Sequence, residues 1–148
     1  MEKIVYFASE QWLLITALAA AIYGLIFLEN KRAGTGLSPQ GLTSLVNGGD
    51  TVVVDLREKE EFAKGHIVDA RNLPYKSIQS KLTQKDVSAL TSEFEDARDK
   101  KLVLVCKMGQ HSSQLAKKLA ENNFNVYRLA GGVMEWQNAQ LPLVKGKK

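Results

Sequence analysis

Apolar residues follow two patterns along the chain, a continuous apolar run near the N-terminus and a mixture of short periodic segments after it. No residue from Gln11 to Leu28 carries a charge. An 18-residue helix rises about 27 Å, which is close to the roughly 30 Å hydrocarbon core of a bilayer. The run shows no amphipathic stripe of the kind found in a surface helix. The pattern predicts an uncleaved transmembrane helix over 11–28, preceded by a short N-terminal segment at 1–10.

Two other interpretations of the apolar run stay open. It could be a buried core helix, or the apolar region of a secretory signal peptide with Ala17-Leu18-Ala19 as its cleavage site. Apolar residues continue well beyond Ala19, however, and the residues before the run are acidic as much as basic. Both features favour the uncleaved anchor over a signal peptide.

The charges that flank the run predict its orientation. Lys3 precedes it beside Glu2, whereas Lys31 and Arg32 follow it. Because cytoplasmic flanks carry an excess of Lys and Arg, we expect the N-terminus outside and the remainder of the chain in the cytoplasm. The expected topology is a single crossing of a membrane, with the apolar helix in contact with lipid.

After a polar linker at 29–37, the pattern of residues 38–148 is that of one α/β domain. Ser38-Pro39 is typical of an N-cap and a first helical residue. The β-branched run at 51–55 is typical of a buried parallel strand. Further strands are predicted at 70–74, 101–105 and 125–129, and helices at 39–47, 58–64, 112–123 and around 133–138, with helical spacing across 75–98. This alternation predicts a central parallel β-sheet flanked by helices on both faces.

Composition narrows the possible functions. The net charge is +4, and the charges are interspersed with no basic tract, so nucleic acid is not an expected partner. One cysteine and two histidines are too few for a structural zinc site, which uses four ligands. We therefore expect no metal and no cofactor. A single cysteine also excludes an internal disulfide.

That cysteine lies in the stretch VLVCKMGQHS, residues 103–112, where a loop follows the third predicted strand. Ligands bind at the carboxyl ends of strands in open α/β sheets. Loop amides can form an anion nest there, and the next helix, expected to begin near Ser112, adds N–H donors and the positive end of its dipole. Gly109 can take a positive φ at no steric cost and so allows the loop to curl around the sulfur. Lys107 adds a nearby cation. The pattern favours a stabilised thiolate at Cys106, although a lone cysteine can also simply pack as a small hydrophobe.

Spacing separates this loop from two other cysteine chemistries. A dithiol of the thioredoxin type needs a second cysteine at the position of Gly109. A cysteine phosphatase needs an arginine at the position of Ser112, to hold phosphate oxygens with its planar fork. Neither reaction is expected.

Three motifs resemble the rhodanese family. VVVDLREKEEFAKGHIVDARNLP (52–74) is similar to its N-terminal signature, CKMGQHS (106–112) to its cysteine loop, and LAGGVMEWQNAQLP (129–142) to its closing Gly-Gly and Trp element. The motifs occur in family order over roughly 38–144. With the apolar run in front, the chain resembles the membrane-anchored single-domain rhodaneses of bacteria, which implies a bacterial inner membrane as its location.

The resemblance implies a sulfurtransferase. The thiolate of Cys106 would accept sulfane sulfur from thiosulfate, a polysulfide or a persulfide, hold it as a persulfide and pass it to a thiol acceptor. The substrate would bind in the loop made of Lys107, Met108, Gly109, Gln110, His111 and Ser112. Asp55 and Arg57 would form a structural pair that supports the site, and His66 would be a packing residue.

The chain departs from the two-domain thiosulfate enzymes of the family, and other functions remain open. Those enzymes carry Arg-Lys after the cysteine and an arginine on the facing segment, whereas this chain has Lys107-Met108 and, facing them, Glu61. Fewer cations predict weaker attraction for dianionic thiosulfate. One alternative is a rhodanese-fold interaction module that acts on membrane-protein partners. A third possibility is redox sensing by the thiol.

Overall fold

The computed structural model describes residues 1–32 and 34–146. The helices are α1 (Glu2–Glu10), α2 (Trp12–Arg32), α3 (Pro39–Asn47), α4 (Lys59–Lys64), α5 (Tyr75–Leu82), α6 (Ser88–Thr91), a 3₁₀ helix (Ser92–Ala97), α7 (Gln110–Ala120) and α8 (Gly132–Asn138). The strands are β1 (Thr35–Leu37), β2 (Thr51–Asp55), β3 (Arg71–Asn72), β4 (Lys101–Val105) and β5 (Val126–Leu129). The chain forms two compact units, Met1–Arg32 and Ala33–Lys148.

The first unit contains α1 and α2. Helix α2 begins at Trp12 and ends at Arg32, so it continues past Leu28, where the uncharged run ends. Across the described parts of the chain, no helix is both long and apolar enough to cross a membrane. The transmembrane helix predicted at 11–28 is therefore not confirmed.

The second unit is built on a parallel sheet with the strand order β1-β5-β4-β2-β3. All four strand pairs are parallel. Strand β1 lies inside the segment 29–37, which was predicted to be a linker. Its three residues show no apolar alternation, and its partner β5 lies about 90 residues further along the chain, so local pattern could not reveal it.

The predicted bounds agree best with the observed ones for strands that are buried on both faces. Strands β2 and β4 have the predicted bounds, and the amide of Gly41 donates to Ser38 Oγ at 3.1 Å, as expected of an N-cap. The predicted strand 70–74 shortens to Arg71–Asn72. The segment 75–98 divides into α5, α6 and the 3₁₀ helix.

Helices cover both faces of the sheet, as predicted. Alternate residues of β4 point to opposite sides, because side chains alternate along a strand: Leu102 and Leu104 enter one apolar cluster, and Val103 and Val105 the other. The first cluster receives apolar residues from α5, α6, the 3₁₀ helix and α7, and the second from α3, α4 and α8. Strand β4 is thus the buried centre of the domain, and its last residue immediately precedes Cys106.

Candidate active site

Cys106 is placed by the end of β4 in the middle of the sheet. The final residue of that strand, Val105, pairs with Asp55 of β2, and its carbonyl accepts from the Leu56 amide at 2.7 Å. The side chain of Cys106 belongs to one of the two core clusters, and the residue is only 3% exposed. The carboxyl edge of the sheet therefore holds the cysteine rigidly and with little access.

The sulfur nevertheless has polar partners. The Gly109 amide donates to Cys106 Sγ at 3.0 Å, and Ser112 Oγ lies 3.6 Å from the same atom. Ser112 is fully buried, and its hydroxyl donates to the Gly109 carbonyl at 2.9 Å. Gly109 has a φ of +98°, a conformation that glycine adopts without steric cost. The predicted curl of the loop is present, and it aims an amide at the sulfur.

The other loop residues of the predicted site lie around this centre. Lys107 and Met108 are exposed between the cysteine and Gly109, and helix α7 begins at Gln110, two residues earlier than predicted. His111 stacks on Tyr75 with ring centroids 4.1 Å apart. The sequence contained no signal for this stack, because Tyr75 lies outside the quoted motifs and the two residues are distant along the chain.

Tyr75 also anchors the start of α7. Its hydroxyl donates to Gln114 Oε1 at 2.6 Å, and burial raises the pKa of the phenol, so the donor stays protonated. This hydrogen bond holds the first residue of α5 against α7, the helix that follows the cysteine loop. His111 therefore rests on the ring of Tyr75 at the start of α7.

Helix α8 holds the back of the cysteine loop. The Val133 amide donates to the Cys106 carbonyl at 2.9 Å, and the Met134 amide to the Lys107 carbonyl at 3.2 Å. In a trans peptide the N–H and C=O point in opposite directions. The amides of Lys107 and Met108 therefore point away from α8.

This contact requires glycine at position 132. A Cβ on Gly132 would lie 2.2 Å from the Cys106 carbonyl oxygen and 2.5 Å from that of Lys107, and its φ is +64°. Close approach of two backbones thus explains the second glycine of the Gly-Gly pair, whereas a Cβ on Gly131 would meet Glu135 Cβ at 2.7 Å. The resemblance to the rhodanese family identified this motif, but the contact of Gly132 with the cysteine loop was not predicted.

Asp55 and Arg57 form the predicted structural pair. Arg57 Nη2 donates to Asp55 Oδ2 at 2.7 Å, and Nε lies 3.0 Å from Oδ1. The same Nη2 donates to the Gly65 carbonyl at 2.7 Å. The side chain of Asp55 is fully buried, whereas that of Arg57 is 9% exposed. The pair ties the end of β2 to the loop after α4, next to the cysteine strand.

His66 is a packing residue, as predicted. Its ring stacks on Phe62 at 3.8 Å, and Nδ1 donates to the Phe62 carbonyl at 2.9 Å, which assigns the proton to that nitrogen because a carbonyl can only accept. Within the described ranges, no three His, Cys, Asp or Glu side chains lie close enough together to hold a metal ion.

A groove lies beside the loop and contains charges of both signs. Its charged lining residues are Arg57, Glu61, Lys64 and Lys107, and its apolar ones include Val133, Met134 and Leu143. Lys107 Nζ lies 3.5 Å from Glu61 Oε1. Glu61 therefore does face the cysteine loop, as the sequence suggested, and forms an ion pair there.

The parallel sheet, the cysteine loop and the buried Asp-Arg pair together define a rhodanese-like domain. The family model of that description matches residues 38–139, and the chain belongs to this family. Members are generally sulfurtransferases that form a cysteine persulfide, although some are non-catalytic.

Individual relatives extend the comparison. The chain is 37% identical over 106 residues to the protein YibN of Escherichia coli (strain K12), covering 71% of this chain and 68% of YibN. A rhodanese-related protein from Thermoplasma volcanium has the same fold, with a TM-score of 0.59 at 22% identity over 76% of this chain and 99% of its own. A thiosulfate sulfurtransferase from Pseudomonas aeruginosa matches with a TM-score of 0.60 at 18% identity, over 82% of this chain and 22% of its own.

We expect Gly132→Ala to disturb the cysteine loop and Gly49→Ala to leave it intact. Both glycines have positive φ, so each substitution costs about 1–2 kcal/mol of backbone strain. A Cβ at Gly49 meets nothing within 4 Å, whereas one at Gly132 collides with two carbonyls. Gly132→Ala should therefore lose more stability in urea unfolding and accelerate amide hydrogen exchange at Val133 and Met134. Equal loss in both variants, with unchanged exchange, would contradict this role of Gly132.

We expect Arg57→Met to lower the free energy of unfolding by about 3–5 kcal/mol, because it leaves the Asp55 carboxylate buried without its cation. Lys76→Met is the matched control, since the Lys76–Glu58 pair is mostly exposed and such pairs contribute about 0–1 kcal/mol. Urea unfolding of the two variants measures the difference. Similar small losses for both would show that Arg57 is not needed to balance Asp55.

Proposed function

We propose that this protein is a sulfurtransferase that accepts sulfane sulfur as a persulfide on Cys106 and passes it to a thiol or another nucleophilic acceptor. The observation that carries the proposal is the Gly109 amide, which donates to Cys106 Sγ at 3.0 Å from a loop that follows the central strand. A hydrogen bond from an amide stabilises a thiolate more than a thiol, and the thiolate is the nucleophile.

The surrounding groups support a charge on this sulfur. Helix α7 begins just after the loop and directs the positive end of its dipole toward it. The Ser112 hydroxyl lies 3.6 Å from Sγ and can rotate to donate to it. The Gly109 carbonyl that this hydroxyl leaves would still accept from the hydroxyl of Ser113 at 3.1 Å and from its amide at 3.2 Å. The Gly109 carbonyl therefore keeps hydrogen-bond donors when the Ser112 hydroxyl turns to the thiolate.

The reaction takes place in two displacement steps. The Cys106 thiolate attacks the outer sulfur of a donor R–S–SH; the new Sγ–S bond forms, and the old S–S bond breaks as R–S⁻ leaves with the electron pair. Cys106 is then a persulfide. An acceptor thiolate attacks its outer sulfur and takes it, and the Cys106 thiolate leaves. Because Cys106 is the only cysteine in the chain, no internal thiol can intercept the persulfide.

Exposure of the protein to a sulfane donor, followed by intact mass measurement, tests the proposal. We expect the wild type to gain the mass of one sulfur atom and to lose it on addition of a thiol. Cys106→Ser should gain none. Because Ser112 is buried against the sulfur, Ser112→Ala should slow loading by about tenfold or less, the loss of one hydrogen bond to a charged group.

The alternative is a non-catalytic rhodanese-fold interaction module for membrane proteins, and the same measurement decides between the two. Absence of added sulfur in the wild type, or equal loading of Cys106→Ser, would favour the module. Redox sensing predicts instead that peroxide oxidises Cys106 faster than a sulfane donor loads it. The amide on the sulfur is compatible with each chemistry, but the family generally performs sulfur transfer.

We also propose that residues 11–28 attach the protein to a bacterial inner membrane, with the N-terminus outside and the rhodanese-like domain in the cytoplasm. Large apolar side chains of α2 are exposed, among them Leu13, Leu14, Leu18, Leu25 and Ile26. No described helix is long and apolar enough to cross a membrane, so the support is this exposed surface together with the uncharged run.

We expect Leu18→Arg to move a large part of the protein from the membrane fraction to the soluble fraction. A charge in a membrane-inserted helix costs about 2.5–3.5 kcal/mol. Val68→Arg is the control, because Val68 is an exposed apolar residue of the second unit. Fractionation with alkaline extraction measures the shift, and a reporter at the C-terminus tests the side of the membrane. A fully soluble wild type would contradict attachment.

A further inference from the structure

Most of the cations that line the groove beside the cysteine loop are already paired with protein groups. Arg57 is already held by the Asp55 carboxylate and the Gly65 carbonyl. Lys107, the residue after the cysteine, is paired with Glu61 at 3.5 Å. Of the groove's cations, only Lys64 has no ion-pair partner among the described residues. Two of the three cations are therefore already paired, Arg57 with the buried Asp55 and Lys107 with Glu61 in the groove, and little positive charge remains for a substrate.

The ion pair is open to solvent and to any molecule entering the groove. The side chain of Lys107 is 65% exposed and that of Glu61 is 40% exposed. An anion approaching Lys107 must approach the Glu61 carboxylate as well. The resulting repulsion is proportional to the charge of the anion, so a dianion experiences about twice the penalty of a monoanion.

Apart from Gly65 and Gln137, the uncharged residues that line the groove are apolar. Met134 lines the groove and is 45% exposed, beside Val133 and Leu143. Met108, in the cysteine loop, is 60% exposed. Thioethers are soft and adapt to irregular organic groups. This lining suits the carbon skeleton of a thiol persulfide better than an inorganic oxyanion.

We propose that Glu61 is a specificity residue that selects organic persulfide donors over dianionic thiosulfate. This inference rests on the sulfurtransferase function proposed above and names the donor class of the same site. With thiosulfate, the Cys106 thiolate attacks the outer sulfur, the S–S bond breaks, and sulfite leaves as a dianion with the electron pair. With a thiol persulfide R–S–SH, the leaving group is a thiolate with one charge. Glu61 opposes the first donor and its product more strongly than the second.

Two measurements on Glu61→Gln test the proposal. The first compares sulfur loading of Cys106 from thiosulfate and from cysteine persulfide, as kcat/KM at low ionic strength. We expect the rate with thiosulfate to rise about 3- to 10-fold and the rate with the persulfide to change by about threefold or less. The difference should shrink at high salt, because salt screens exposed charges.

The second measurement does not depend on catalysis. Iodoacetate and iodoacetamide alkylate the same thiol but differ by one negative charge. We expect Glu61→Gln to raise the iodoacetate-to-iodoacetamide rate ratio at Cys106 about two- to fivefold. Lys64→Gln should lower the ratio, because it removes the unpaired cation of the groove. Glu60→Gln is the matched control, since Glu60 is an exposed residue of the same helix that does not line the groove.

The outcomes separate the two proposals. An alkylation ratio that is unchanged in Glu61→Gln, or changed equally in Glu60→Gln, overturns the role of Glu61 whatever the sulfur-transfer result. If the alkylation ratio shifts but neither donor loads sulfur in the wild type, the proposed function fails and donor selection falls with it. An equal rise for both donors would also overturn the selection. Thermal unfolding of each variant verifies that the exposed substitution has not altered the fold.

Discussion

The site depends on two backbone hydrogen bonds from α8 to the carbonyls of Cys106 and Lys107. A loop of five or six residues has several ways to curl, and its amides point inward only if its carbonyls find partners elsewhere. The first amides of α8 are free to serve as those partners because helix N-termini leave N–H groups without intrahelical acceptors. The start of α8 thus provides hydrogen-bond donors for the carbonyls on the outer side of the loop. The start of α7 and the Gly109 amide are directed to the inner side, where the sulfur lies.

Polar groups deep in the domain fix the position of that loop relative to the sheet. The buried Asp55 carboxylate neutralises Arg57, and Arg57 reaches on to the Gly65 carbonyl, so the ends of β2 and α4 cannot move independently. Asn72 adds hydrogen bonds to the carbonyls of Asp55 and Arg57 at 3.1 and 2.9 Å. Such a network is costly to disrupt, because the Asp55 carboxylate at its centre is fully buried and its partners Arg57 and Asn72 are half-buried. The motif 52–74 therefore provides a rigid wall beside the cysteine rather than reacting groups.

Some elements of this structure can be predicted from the sequence and others cannot, and the difference has physical reasons. Strands β2 and β4 were predicted with their observed bounds because both faces of each are buried, which forces a continuous apolar run. Strand β1 was missed because an edge strand of three residues is defined by backbone pairing with β5, and side-chain pattern does not record such pairing. The position of the cysteine loop and its curl at Gly109 were predicted, but the contact of Gly132 with the loop carbonyls and the stack of His111 on Tyr75 join segments that are distant in sequence. Local periodicity carries no information on contacts of that kind.

On the proposed function, the burial of the sulfur and the charges beside the cysteine loop have a consequence for turnover. Cys106 is 3% exposed, so donor and acceptor must use the same approach in succession, and the donor's remnant must leave before the acceptor enters. A strongly cationic entrance would retain an anionic remnant and delay the second step. The Lys107–Glu61 pair beside the cysteine loop instead carries no net charge, which lowers affinity for anions in general while it favours their release. Weak binding of each small partner is then the expected property of a domain whose persulfide, lacking a second thiol in the chain, must be collected by another molecule.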